Sequence, residues 1–221
     1  MSTGNAADQA APAAVANDVL NAPVSAAVAA QVIERTSSPN SFIVHVDELD
    51  PKHFANPRKQ MLESAVQEMQ QSLRIHGQGQ EIQVARIAGS ALLAVVAGYT
   101  RTEAQTRNVF TPLILKWNKD KGLKVGEENF LLVNNPAHRA IVKDAYPEEY
   151  AAQRNDEKNK LRVVIDPKVT TAGQARIKAG VENFHRTDMP LQDQFDLIND
   201  LIDIDGFKAN EVSKQLKKSE A

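Results

Sequence analysis

The 221-residue chain contains no cysteine, so it has neither disulfides nor a thiolate metal centre, and its composition suits a reducing compartment. It has little excess of charge: the formal net charge is −2, and bulk electrostatics announce no nucleic-acid partner. A local basic face is still open to it. No lysine or arginine precedes Arg35, so the start lacks the basic region of a secretory signal. The apolar stretch near Val24–Ile33 is too short and too weakly apolar to span a bilayer. The five histidines (His45, His53, His76, His138, His185) show no metal-binding spacing and no i, i+4 pair. There is no internal repeat.

What is present reads as a globular protein, with 42% hydrophobic and 24% charged residues. Residues 1–40 form an Ala-rich arm, expected to be disordered apart from transient helix near Val24–Ile33. Phe42–Val46 is a short β-branched run and predicts a strand. A helix is expected from Gln60, with Leu62, Val66, Met69 and Leu73 at helical spacing and His76-Gly77 as its stop. Gln80–Ile87 alternates, placing Ile82 and Val84 on one face, and Ala91–Ala97 is apolar enough for burial on both faces. Gly89-Ser90 between them predicts a hairpin. A helix opened by Thr100 is expected to reach about Arg107, and Pro112–Trp117 then reads as a strand holding Trp117.

An insert at about 118–160 follows, with helical patches near Glu127–Val133, His138–Ala145 and Glu148–Arg154. Its length predicts a small helical subdomain rather than a loop. Leu161–Ile165 predicts a strand. Thr170-Thr171 caps a helix through Phe184, and Asp188-Met189-Pro190 opens the next. That helix is expected to bury Leu191, Phe195, Ile198 and Ile202, at i, i+4, i+7 and i+11. Lys208–Lys218 predicts a short helix with Val212 and Leu216 inward and Lys208, Lys214, Lys217 and Lys218 outward, where they suit phosphate contacts.

The stretch with the clearest chemistry is Val95-Val96-Ala97-Gly98-Tyr99-Thr100-Arg101. A strand that stops at glycine and turns into a helix presents backbone N–H groups beside an arginine, which suits a phosphate. Glu182 and Asn183 offer a carboxylate and an amide oxygen, which suit magnesium. Arg186 lies four residues beyond Glu182, and a solvated i, i+4 ion pair is the alternative reading of those two. Asp47, Glu48 and Asp50 are read as a solvated turn, with a metal cluster as the alternative.

Three segments in this order resemble the ParB family of partition proteins: Gly77-Gln78-Gly79-Gln80-Glu81-Ile82-Gln83-Val84, Ala97–Ala104, and Glu182-Asn183-Phe184-His185-Arg186-Thr187-Asp188-Met189, which matches the family's Glu-Asn-x-x-Arg box. Asn56-Pro57-Arg58 also stands where the family has Gln-Pro-Arg. The resemblance covers about residues 42–107 and 161–218. It implies an α+β fold with a small mixed sheet, shared with sulfiredoxin, over residues 41–186. At 187–221 it implies the start of a helical domain of the helix-turn-helix type.

By that resemblance the boxes converge on a nucleoside triphosphate, usually CTP, with magnesium, and nucleotide binding closes a homodimer around DNA. Gly77 and Gln80 would lie near base and ribose, and Gly98, Tyr99, Thr100 and Arg101 would hold the phosphates. Glu182 and Asn183 would serve magnesium, Glu182 also hydrolysis, and Arg186 would help neutralise the triphosphate. The chain departs from the family at Tyr99 and Thr100, which replace Glu and Arg, and at Glu81, which replaces Pro.

Leu191–Ile202 and Lys208–Leu216 are expected as lead-in and first helix of the DNA-binding domain, with the recognition helix falling beyond Ala221. The chain is thus expected to be a piece of a longer protein or a short form. The expected function is DNA binding gated by nucleotide, in partition or regulation of a plasmid or chromosome. A slow NTPase activity belongs to this reading. The alternatives are a metal-dependent nuclease or NTPase using Glu182, and a binding module indifferent to nucleotide. The expected partners are DNA, a second copy, and a partition ATPase met through the arm. The expected location is cytoplasmic, on nucleoid or plasmid.

Overall fold

The computed structural model describes residues 40–51, 61–184 and 189–217. The Ala-rich arm before Asn40, Asn56-Pro57-Arg58, Asp188, Arg186 and Lys218 lie outside the described residues. The fold is α+β: one five-stranded mixed sheet with seven α-helices among the described residues. No helix among the described residues is long and apolar enough to cross a membrane.

The strands are β1 (Ser41–Val44), β2 (Leu49–Asp50), β3 (Ile82–Ala85), β4 (Leu93–Ala97) and β5 (Leu161–Ile165), in the order β1-β5-β3-β4-β2. β3 and β4 form the expected antiparallel hairpin, with Val84 opposite Val95. β5 runs parallel to β3, with Ile82 opposite Val163, although 79 positions separate their starts in the sequence. Ile82 and Val84 are fully buried while Gln83 is exposed, as the alternation requires. Helix α1 (Glu63–His76) buries Val66 and Leu73 against Ala104, with Met69 half-buried beside them. Leu62 stays 72% exposed.

The strand expected at Pro112–Trp117 does not form. Helix α2 runs unbroken from Tyr99 to Asp120 with Pro112 inside it. Proline in a helix interior costs about 3 kcal/mol. Val109, Phe110, Leu113 and Ile114 are all buried at helical spacing, and each contributes about 1.5–3 kcal/mol, so burial outweighs the break. Leu115, between buried Ile114 and half-buried Trp117, is 61% exposed, as a helix and not a buried strand would leave it.

The insert shares the central core. Helices α3 (Pro136–Ala145) and α4 (Pro147–Asn155) pack on α2, and Leu131, Val142 and Tyr150 join one cluster with Ile82, Val95 and Val163. Glu127–Val133 is irregular instead of helical. Its place is held by buried Asn118, which donates to Leu131 O and accepts from Leu131 N–H, both at 2.9 Å. Trp117 meets the insert edge-to-face at Tyr146, with ring centroids 6.2 Å apart.

A charged network fastens these helices. Glu103 on α2 accepts from Arg107 Nε at 2.8 Å and from both terminal nitrogens of Arg139 on α3. Arg107 also donates to Glu63 on α1 at 2.6 Å. The expected solvated turn at Asp47-Glu48 is instead engaged by α4: Arg154 Nε lies 2.9 Å from Asp47, and Glu48 is buried. His45 bonds Arg154 O and His138 accepts from Leu132 N–H, which gives both rings structural roles.

Helix α5 (Ala172–Phe184) buries Ala175 and Ala179 in the central core. Its other side receives α6 (Leu191–Asp203) and α7 (Ala209–Lys217). The buried residues of α6 are Leu197 and Leu201, whereas Leu191 and Phe195 of the expected face are 67% and 55% exposed. Glycine favours the choice: a Cβ on Gly180 would lie 2.6 Å from Leu197 Cδ2, so its absence lets that leucine settle against α5 without shifting. Buried Arg176 and half-buried Asp205, 3.0 Å apart, tie α5 to the loop before α7. Val212 and Leu216 turn inward and Lys208 and Lys214 are exposed, as expected, while Lys217 closes α7.

Candidate nucleotide site

The start of α2 is shaped by its sequence. β4 ends at Ala97, and Gly98 caps the helix in the left-handed region at φ 98°. The first turn carries no acidic residue, and Thr102 N–H is the first to bond back, to Gly98 O at 2.9 Å. The N–H groups of Tyr99, Thr100 and Arg101 thus lack helical partners, which makes this end suited to an anion.

An open cleft of about 320 Å³ lies at this helix start. One wall is apolar, from Met61, Leu62, Ala65 and Met69 at and before α1. The rest comes from Gln80, Glu81, Gln83, the run Ala97–Arg101, and Glu182-Asn183 at the end of α5. Four sequence segments, from Met61 to Asn183, therefore converge. Of the expected site residues, Gln80, Gly98, Tyr99, Thr100, Arg101, Glu182 and Asn183 line this cleft. Gly77 is not among its lining residues. It caps α1 at φ 70° and donates its N–H to Leu73 O.

Tyr99 departs from its expected part. Its ring is buried, its hydroxyl donates to Val95 O at 2.7 Å, and burial pushes the phenol well above its ordinary pKa, with the Glu182 charge adding to the effect. Tyr99 thus offers the cleft its backbone while its side chain anchors α2 to β4. Arg101 is half-buried and donates to Gln80 Oε1 at 3.4 Å. Burial lowers its pKa and the Glu182 charge works against that. Asn183 is buried, and its amide nitrogen donates to Ala179 O at 2.8 Å. Glu81 accepts from the buried Ser41 hydroxyl at 2.6 Å.

Sequence reasoning missed the apolar wall, whose members it assigned to a helix face. It gave no site role to Gln83, though Gln83 stands in the first box, or to Ser41, which reaches the cleft only through Glu81. Among the described residues no group of three or more His, Asp or Glu side chains is placed to hold a metal ion, so the metal-cluster reading of Asp47, Glu48 and Asp50 finds no support there.

Residues 30–121 match the family model described as the ParB N-terminal domain. No curated protein matches the chain. Among solved structures it is similar to the C-terminally truncated chromosome-partitioning protein ParB from Caulobacter crescentus complexed with CTP-gamma-S. The two share 15% identity over 80% of this chain and 69% of that one, with a TM-score of 0.37. The match identifies a ParB N-terminal domain at residues 30–121 of the chain.

Proposed function

We propose that this ParB-like protein binds DNA under the control of a magnesium–nucleoside triphosphate, most naturally CTP, held in the cleft at the start of α2. The observation that carries the reading is the convergence of Gln80, Gly98–Arg101 and Glu182-Asn183 on one cleft. The backbone N–H groups of residues 99–101 and the Arg101 guanidinium bind phosphate oxygens, as donors fixed before the ligand arrives. The apolar wall of Met61, Leu62, Ala65 and Met69 takes the base.

Charge decides the form of the ligand. The described lining sets one guanidinium, Arg101, against two carboxylates, Glu81 and Glu182. Phosphates lying beside those carboxylates are opposed by them, which favours a ligand that enters with a divalent cation. Magnesium supplies the positive charge that lets phosphates lie beside those carboxylates. Glu182 and the Oδ1 of Asn183 are the oxygens suited to it, because the Asn183 nitrogen is committed to Ala179. Arg186 follows on the same chain segment and adds a second cation. Glu182 is also the carboxylate for slow hydrolysis.

Exposed Lys208 and Lys214, with Lys217 and Lys218, provide the phosphate contacts to DNA, and a second copy completes the clamp. Retention of a closed DNA circle, measured with and without magnesium–CTP, tests the gating. The expected result is salt-resistant retention only with nucleotide. Equal retention in both conditions would favour the nucleotide-indifferent module.

A further inference from the structure

The five-residue loop between α1 and β3, Gly77 to Glu81, carries Gln80 and Glu81 into the cleft. The Gln78 side chain lies along β5 in the manner of an added strand residue. Its Oε1 accepts from Arg162 N–H at 2.6 Å, and its Nε2 donates to Arg162 O at 2.7 Å. The same Nε2 donates to Gln80 O at 2.9 Å. Arg162 answers by donating from its guanidinium to Gln78 O at 2.6 Å.

The three bonds to Arg162 continue the β3–β5 pairing beyond its last ladder partners, Ile82 and Val163, where a bare loop would leave the Arg162 backbone groups without a protein partner, and the fourth braces the loop itself. The primary amide of glutamine can donate and accept at once, so it can satisfy both backbone groups of one residue. Neither Gln78 nor Arg162 lines the cleft. Gln80, two residues on, does, and it meets Arg101.

We infer that Gln78 and Arg162 are positioning residues for the nucleotide cleft: β5 holds the loop whose Gln80 fixes the Arg101 guanidinium. This rests on the nucleotide reading above. Loss of the pair frees the loop without emptying any core, since all four bonds lie at the surface. Affinity then falls because the cleft must order on binding.

The test is titration of magnesium–CTP into wild type, Gln78→Ala, Gln78→Glu, Arg162→Ala and the double alanine variant, with hydrogen exchange of residues 77–83 followed in each. Every variant is expected to keep the wild-type melting temperature, to exchange faster over 77–83, and to bind about three- to tenfold more weakly. Gln78→Glu keeps an acceptor but loses both donated bonds, so it groups with alanine. The double variant is expected to be no weaker than the worse single one, because the two residues act as one unit. Wild-type binding with unchanged affinity in Gln78→Ala overturns this inference and leaves the nucleotide reading intact. Absence of binding by folded wild type overturns both.

Discussion

Gly98 packs so closely on Ile82 that a Cβ at position 98 would lie 3.1 Å from Ile82 Cγ1 and 3.5 Å from Arg101 Nη1. The backbone there is also left-handed, at φ 98°, which L side chains rarely adopt. Gly98→Ala therefore meets two penalties and is expected to destabilise the fold by about 1–3 kcal/mol. The variant is also expected to lose nucleotide affinity, because relief requires the first turn of α2 to move. Urea unfolding alongside titration separates the two effects.

Glu103 holds two nearly buried guanidiniums, Arg107 and Arg139, whose side chains are only 7% and 10% exposed. Its replacement by alanine leaves both without their shared partner and is expected to cost about 3–5 kcal/mol. The expected signature is a lower melting temperature, read by calorimetric scanning.

Acid should loosen the same network from its outer end. The hydrogen bond from Arg107 holds the Glu63 carboxyl below its usual pKa, outweighing the opposing effect of burial. A depressed carboxylate contributes stability that is full above its unfolded value, about 4.3, and is lost as pH falls through the lower folded value. Glu63→Gln is expected to flatten part of the stability decline below that pH. High salt should shrink the difference, because Glu63 is half exposed. Urea midpoints across the acid range check both points.

The two sides of α6 should respond differently to truncation. Leu197→Ala opens space against Gly180 and is expected to cost about 2–4 kcal/mol. Phe195→Ala removes an exposed ring and is expected to stay within about 0.5 kcal/mol. Denaturant midpoints of the two variants check the buried face directly.

These contrasts mark where the sequence was legible. The alternation at Ile82 and Val84 and the apolar run into Gly98 carried β3, β4 and the start of α2, because local period and a glycine stop suffice there. Pro112 misled because a local break competes with four buried side chains whose partners lie elsewhere in the chain. α6 offered apolar residues on two sides, and the choice was favoured by Gly180 on another helix. Asn118 with Leu131 and Gln78 with Arg162 replace missing backbone pairing by side-chain amides, a role that leaves no periodic trace. Residues of the cleft followed the same division. Its polar members stood in ordered boxes, whereas its apolar wall looked like any helix face. Tyr99 has a ligand contact's place in the sequence, but its hydroxyl bonds Val95.

Isothermal calorimetry of CTP against wild type and Arg101→Ala, each with and without magnesium, tests the central claim most directly. Saturable binding is expected for wild type in magnesium, none in chelator, and at least about tenfold weaker binding for Arg101→Ala. Equal binding without the cation, or no binding by folded wild type with it, would contradict a cleft built for a magnesium–nucleotide.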